Sequence, residues 1–198
     1  MNDQTNDQTS DQLNLIRASE LGGLPVVTID GGEDAAEIKD VVYDASEHHL
    51  IGFTLNKRGW FRGSMKASLP IENVSGIGAD AVMVPGDDCL TAKNDSTDAL
   101  AKPKSDIDVM GDEVVSSGGS VIGTVVDVII ETGTHPTAVG YEISTDDGSL
   151  FIPSSAQMSI SGDNLIVPEE AEEFTRNDLV GFGGAVASFR NRLSGGNS

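Results

Sequence analysis

Short runs of apolar residues alternate with polar ones along most of this chain, broken by glycine-rich turns. In the first half, Leu24–Thr28, Glu37–Tyr43, Leu50–Asn56, Lys66–Pro70, Val74–Ile77 and Ala81–Val84 have the length and β-branched content of strands. Asp30-Gly-Gly32 and Lys57–Gly63 supply turns between them. The second half repeats the pattern. Thr124-Val-Val-Asp-Val-Ile-Ile-Glu131 echoes Glu37-Ile-Lys-Asp-Val-Val-Tyr-Asp44, and Ala138-Val-Gly-Tyr141 echoes Leu50-Ile-Gly-Phe53. Asp40 matches Asp127, Gly52 matches Gly140, and Leu69-Pro70 matches Ile152-Pro153. Ile77–Pro85 matches Ile160–Pro168. The spacing between the copies narrows past Lys57–Lys66, so that loop of the first copy is shortened in the second. Two copies of one all-β unit follow, each a small barrel or roll, because closure removes sticky sheet edges.

The remaining stretches are of other kinds. Met1–Gln12 is almost without apolar residues and is expected to be disordered. Leu13–Leu21 predicts one short helical turn leading into the first repeat. Gly86–Ser105 is polar, with few apolar anchors, and predicts a linker. Acidic residues at Glu169–Glu173 open a helix, since carboxylates suit the positive end of its dipole. Gly181, Gly183 and Gly184 weaken helicity. Beyond them Phe182, Val186, Phe189 and Leu193 fall on one helical face. The expected organisation is a tail at 1–14, a first barrel at 15–86, a linker at 87–104, a second barrel at 105–168, and a C-terminal helix and tail at 169–198.

Charge narrows the function classes. The net charge is −20, with 20 Asp, 12 Glu and only 6 Lys. This opposes binding to nucleic acid or to an anionic membrane, both of which select for Lys and Arg. It suits a protein working in molar salt, where the screening length falls to about 3 Å; the alternative is an ordinary acidic bacterial protein. The polar N-terminus and the lack of a long apolar run give the expectation of a cytoplasmic protein without direct membrane insertion.

The search for chemistry returns little. His48 and His49 beside Asp44 and Glu47 read as a solvated loop, because adjacent histidines on extended backbone point apart. Asp106-x-Asp108 opens like a calcium loop, but the fifth position is Met110 where Asp or Asn is needed, and the twelfth is Ser117 where a bidentate Glu is needed. Cys89 sits among acids, which do not activate a thiol as a nucleophile. No nucleophile elbow, P-loop or dinucleotide fingerprint is present. The expectation is a protein with no catalytic residue, no metal and no cofactor. Asp40 and Asp127 recur with the repeat and are expected to accept backbone N–H bonds at a turn.

Two apolar features suit protein binding. Trp60 and Phe61 lie between Arg58 and Arg62 on the tip peculiar to the first repeat, a hot-spot composition; the alternative is that they fold back over the barrel end. The face of Phe182, Val186 and Phe189 either awaits a partner or packs on the second repeat.

The ordered residues of both repeats resemble the PRC-barrel, the β-barrel of the photosynthetic reaction centre H subunit and of the ribosome-maturation factor RimM. Val26, Ile38, Asp40, Val41, Asp44, Gly52, Leu69-Pro70, Val74, Gly78, Asp80, Val82 and Val84 carry the resemblance in repeat one. Ala36 departs from it where the family usually has glycine, and Gly123 restores the glycine in repeat two. Repeat two ends less typically, with Ser161-Gly-Asp163. The implied fold is two PRC-type barrels in tandem. An acidic tandem form is similar to haloarchaeal PRC-barrel cell-division proteins. That likeness implies a non-enzymatic adaptor recruited to midcell, linking a SepF-like protein and a single-barrel PRC paralogue at the FtsZ ring. Homo- or hetero-oligomerisation stays open. The alternatives are a RimM-like role with RNA in ribosome assembly, which the acidic charge disfavours, and a PRC-barrel scaffold of another role.

Overall fold

A computed structural model of the chain describes residues 13–44, 49–58, 63–92 and 109–195. The expected tail at 1–12, most of the linker (93–104) and the opening of the calcium-like loop lie outside these residues, as do Glu47, His48, Trp60, Phe61 and Arg62.

The first half forms strands β2 (Pro25–Thr28), β3 (Asp34–Asp44), β4 (His49–Lys57), β5 (Gly63–Pro70), β6 (Gly76–Ile77), β7 (Val82–Val84) and β8 (Thr91–Ala92). They hydrogen-bond in the order β6-β7-β2-β3-β4-β5-β8. The second half forms β9 (Glu113–Ser116), β10 (Val121–Glu131), β11 (Thr137–Thr145), β12 (Gly148–Pro153), β13 (Ser159–Ser161) and β14 (Asn164–Val167), in the order β13-β14-β9-β10-β11-β12. The six shared strands therefore pair identically. Even the single parallel contact is duplicated, β2 with β7 and β9 with β14.

Duplication reaches single residues. β3 and β4 shift register between Ile38 and Asp40 and again between Val42 and Tyr43. β10 and β11 shift between Val125 and Asp127 and between Ile129 and Ile130, the corresponding places. Such bulges bend a strand and raise its twist, which lets a short sheet curl round its own core. Gly52 faces Pro70 and Gly140 faces Pro153. In each repeat the glycine lets the neighbouring strand's carbonyl approach closely. A Cβ on Gly52 would stand 2.2 Å from the Leu69 oxygen, and one on Gly140 would stand 2.3 Å from that of Ile152. Gly123 is likewise crowded, with the Ser144 oxygen 2.3 Å from a would-be Cβ. At the matching place in repeat one a fully buried Ala36 is accommodated.

Each sheet wraps its own apolar cluster. Leu21, Val26, Ile38, Phe53, Leu55, Leu69 and Val82 fill the first. Val114, Val125, Tyr141, Ile143, Ile152 and Leu165 fill the second.

Three expectations change. The linker begins later than predicted, because a 3-10 turn at Asp87–Cys89 and β8, which pairs with β5, belong to the first barrel. Leu13–Leu21 is not merely a helical turn. Leu15–Arg17 is strand β1, paired with β10 of the other repeat, and only Ala18–Leu21 is helical (α1). The C-terminal segment contains a one-turn helix α2 (Glu169–Glu172) and a separate helix α3 (Leu179–Gly195). Arg176 breaks the path between them by bonding its backbone to Phe151 in both directions. Asp178 then starts α3, its carboxylate accepting from the Gly181 N–H at 2.7 Å. The glycines of α3 lie within the helix, and at Gly183 Leu13 and Leu15 lie 3.8 Å from a would-be Cβ, an ordinary packing distance that a side chain would also allow.

Candidate interaction surface and the seam between repeats

The tip that distinguishes the first repeat is positioned by β4 and β5, which end and begin at Lys57 and Gly63. Arg58, the one described member of the predicted tip quartet, is exposed, and its Nε lies 3.2 Å from Asp34 Oδ2 at the start of β3. The ion pair holds the base of the tip against its own barrel. A surface pair of this kind contributes about 0–1 kcal/mol, so its effect is orientation rather than stability.

The C-terminal face is placed differently from an open docking face. Phe182, Val186 and Phe189 are 0–2% exposed. Phe182 lies 5.7 Å from Phe151 of β12, ring to ring, and its tip sits over Gly140. Phe189 packs on Phe174 at 5.0 Å. The physical cause is β11, whose residues are buried on both faces: Tyr141 and Ile143 point into the barrel while Val139 points out and needs a cover. Helix α3 is that cover. Of the two readings open for this face, the structure takes packing on the second repeat, and the expectation of a partner-binding surface there is corrected. Leu193, at the far end of the same helix, is 46% exposed.

The sequence gives no sign of the seam joining the repeats. Tyr43 of β3 packs into the second core, and Ile130, at the matching place on β10, packs into the first. This reciprocal exchange is what a two-fold contact between like units looks like, here within one chain. The Tyr43 and Tyr141 hydroxyls meet at 2.8 Å. Burial pushes the Tyr141 phenol up to about 12, against the opposing effect of the bond to Tyr43, so it stays protonated at neutral pH.

Crossing this seam, β1 and α1 act as a clasp. Arg17 Nε donates to Glu142 Oε2 at 2.5 Å, and the guanidinium also lies over the Phe151 ring at 5.5 Å. Ser149 Oγ donates to the other Glu142 oxygen at 2.7 Å. Asp127 accepts from the Ser19 hydroxyl and, at 3.3 Å, from the Ser19 N–H, so a carboxylate from the second repeat serves an orphan donor of α1. Asp127 also accepts from the Val128 N–H at 2.8 Å. Asp40 has no such duty: it lies on the surface, accepting from Lys39 Nζ at 2.7 Å and Thr54 Oγ1 at 3.1 Å. The expected acceptance of backbone N–H bonds therefore holds for Asp127, at the clasp and not at a turn, and is corrected for Asp40. They are equivalent in the repeat, but only one faces the clasp.

Burial alone would raise the Glu142 carboxyl, but hydrogen bonds from Arg17 and Ser149, with the Arg17 charge, hold it below the usual carboxylate range. The sign follows. A depressed folded pKa gives stability that is complete above the unfolded value of about 4.3 and is lost as pH falls through the lower folded value. Thermal melts across that acidic window should show a steeper loss for the native chain than for Glu142→Gln. At neutral pH, Arg17→Ala should cost about 1–3 kcal/mol, since it strands a mostly buried carboxylate.

Among the described residues there is no cluster of three or more His, Cys, Asp or Glu arranged to hold a metal, and no helix long and apolar enough to cross a membrane. Cys89 is half-buried, its carbonyl accepting from Asn73 Nδ2 at 2.9 Å.

Comparison with known families agrees with two copies of one unit. The model of the PRC-barrel domain matches twice, at residues 13–88 and 105–174, and so takes in the clasp and every strand of the two sheets except β8, and not α3. A search of curated proteins finds no match. The PRC-barrel is a scaffold and interaction fold that is itself non-catalytic. With two matches spanning well over half of the residues and the same strand pairing in each, the chain belongs to the PRC-barrel domain family, in tandem form.

Proposed function

We propose that this protein is a non-enzymatic adaptor of cell division in a salt-adapted archaeon. In this reading it is recruited from the cytoplasm to midcell and links a SepF-like protein and a single-barrel PRC paralogue at the FtsZ ring. The observation that carries the adaptor reading is where the two repeats differ. Their strand order, bulges and close glycine approaches coincide. Yet the β4–β5 connection spans residues 58–62, whereas the matching β11–β12 connection is a tight turn at Asp146-Asp147. Duplicated cores answer to folding, and a loop that only one copy carries is free to answer to a partner. That loop holds Trp60 and Phe61, residues of the kind that dominate binding energy, with Arg58 and Arg62 beside them to favour an acidic partner. The net charge of −20 supports the salt-adapted part of the reading.

The test is affinity capture with the full chain as bait in molar potassium chloride. Recovery of a SepF-like protein and a single-barrel PRC protein is the expected result. Recovery of ribosomal proteins or ribosome-assembly factors in their place would overturn the division reading while leaving the adaptor class intact.

A further inference from the structure

A groove of about 650 Å³ runs along the seam, between the end of β6, the clasp and the first turn of α3. It is a product of the tandem arrangement, because Ile77–Ala79 come from repeat one, Thr132 from repeat two, and Leu179 and Val180 from the C-terminal helix. Its walls are braced by main-chain bonds. The Ile77 N–H donates to the Gly133 carbonyl at 3.2 Å, and the Thr132 N–H donates to the Asn14 carbonyl at 2.8 Å. The lining is aliphatic at Leu13, Ile16, Ile77 and Val180. Val180 stands 75% exposed at the lip, the most exposed of the large apolar side chains among the described residues.

The charge of the groove selects its occupant. Glu20 is the one ionisable side chain in the lining, half exposed and paired at 3.1 Å with Arg17, which is itself committed to Glu142. No Lys, Arg or His lines it. Asp80 and Asp178 flank the lining in sequence, and the chain as a whole carries −20. In molar salt only a charge in contact range acts, and at that range the exposed Glu20 favours a cation on the occupant over an acidic group.

We propose that the seam groove docks a short peptide segment of a partner protein, an aliphatic or aromatic anchor beside a lysine or arginine. The anchor covers the exposed Val180 and the half-buried Leu13 and Ile16, and the cation meets Glu20. This rests on the adaptor reading and gives it a second surface, separate from the Trp60 tip. Because the groove exists only when both repeats and α3 are assembled, it reads the tandem body rather than either barrel.

The probe is a random-peptide phage library panned on the full chain in molar salt, followed by a synthetic peptide of the selected consensus. The selected sequences should converge on an apolar residue next to Lys or Arg. Amide shifts on binding to the native chain should cluster at Leu13–Ile16, Ile77–Ala79, Thr132 and Leu179–Val180. Val180→Arg, a change at an exposed position, should weaken the peptide by at least about tenfold with an unchanged melting temperature. Selection of acidic or unrelated sequences, shifts that map elsewhere, or undiminished binding by the variant would overturn the proposal, as would failure of the library to converge. Concentration-dependent self-association that Val180→Arg abolishes would also overturn it, by making a second copy the occupant. Midcell partner capture that survives Val180→Arg would leave the adaptor reading standing without this groove.

Discussion

Gly52→Ala should destabilise the protein by more than about 4 kcal/mol, beyond the usual reach of a single added methyl group. Two penalties coincide there. The residue has φ +153°, a conformation L side chains rarely adopt, and its new Cβ would stand 2.2 Å from the Leu69 carbonyl and 3.0 Å from Pro70 Cα. Both obstacles are backbone, so no rotamer change relieves them, and β4 must part from β5. Gly23→Ala separates the two penalties. Its φ is +87°, but nothing lies within 4 Å of the new atom, and it should cost only about 1–2 kcal/mol. Chemical denaturation of the two variants side by side measures the difference. Equal, small losses would mean that the close approach of β4 to β5 is not a structural requirement.

Phe182→Ala should cost about 3–5 kcal/mol, the range for emptying a filled aromatic site. The ring is fully buried, stacked on Phe151, and fills the space above Gly140 that a Cβ would otherwise claim. Its loss leaves a void bounded by Ile129, Val139 and Val186 that the barrel wall cannot close, because β11 is held from both sides. A melting temperature lower by about 10 °C is expected, since a kilocalorie shifts a chain of this size by about 2–4 °C. A folded variant with an unaltered melting temperature would return the helix face to the list of partner surfaces.

The sequence made the repeat legible because its signals are local and doubled. β10 contains the whole of Thr124–Glu131, the run whose echo of Glu37–Asp44 marks it in the sequence, and Gly52 and Gly140 match because both sit against a proline-ended strand. Long-range pairing was not legible. Leu15-Ile-Arg17 is three residues of no distinctive pattern, and it becomes a strand only because Ile129–Glu131 offers an edge far along the chain. Asp40 and Asp127 look alike by position, yet α1 lies over one and solvent over the other. The spacing of Phe182, Val186 and Phe189 reveals a face but not what covers it. That answer lies in the outward side of β11, which no pattern within α3 contains. Glycines in α3 argue against a helix by propensity, and packing against Leu13 and Leu15 overrides it.

The central claim is that the tip carried by one repeat alone binds another protein. Its most direct test is the affinity of the captured division partner for the native chain and for Trp60→Ala with Phe61→Ala, measured by isothermal titration in molar salt alongside thermal melts of both proteins. The double variant should melt within about a degree of the native chain while its binding falls by a hundredfold or more, since hot-spot residues contribute roughly 2 kcal/mol or more each. Native affinity in a folded double variant would contradict it, and so would unfolding of the double variant, which would assign the two rings to the barrel core.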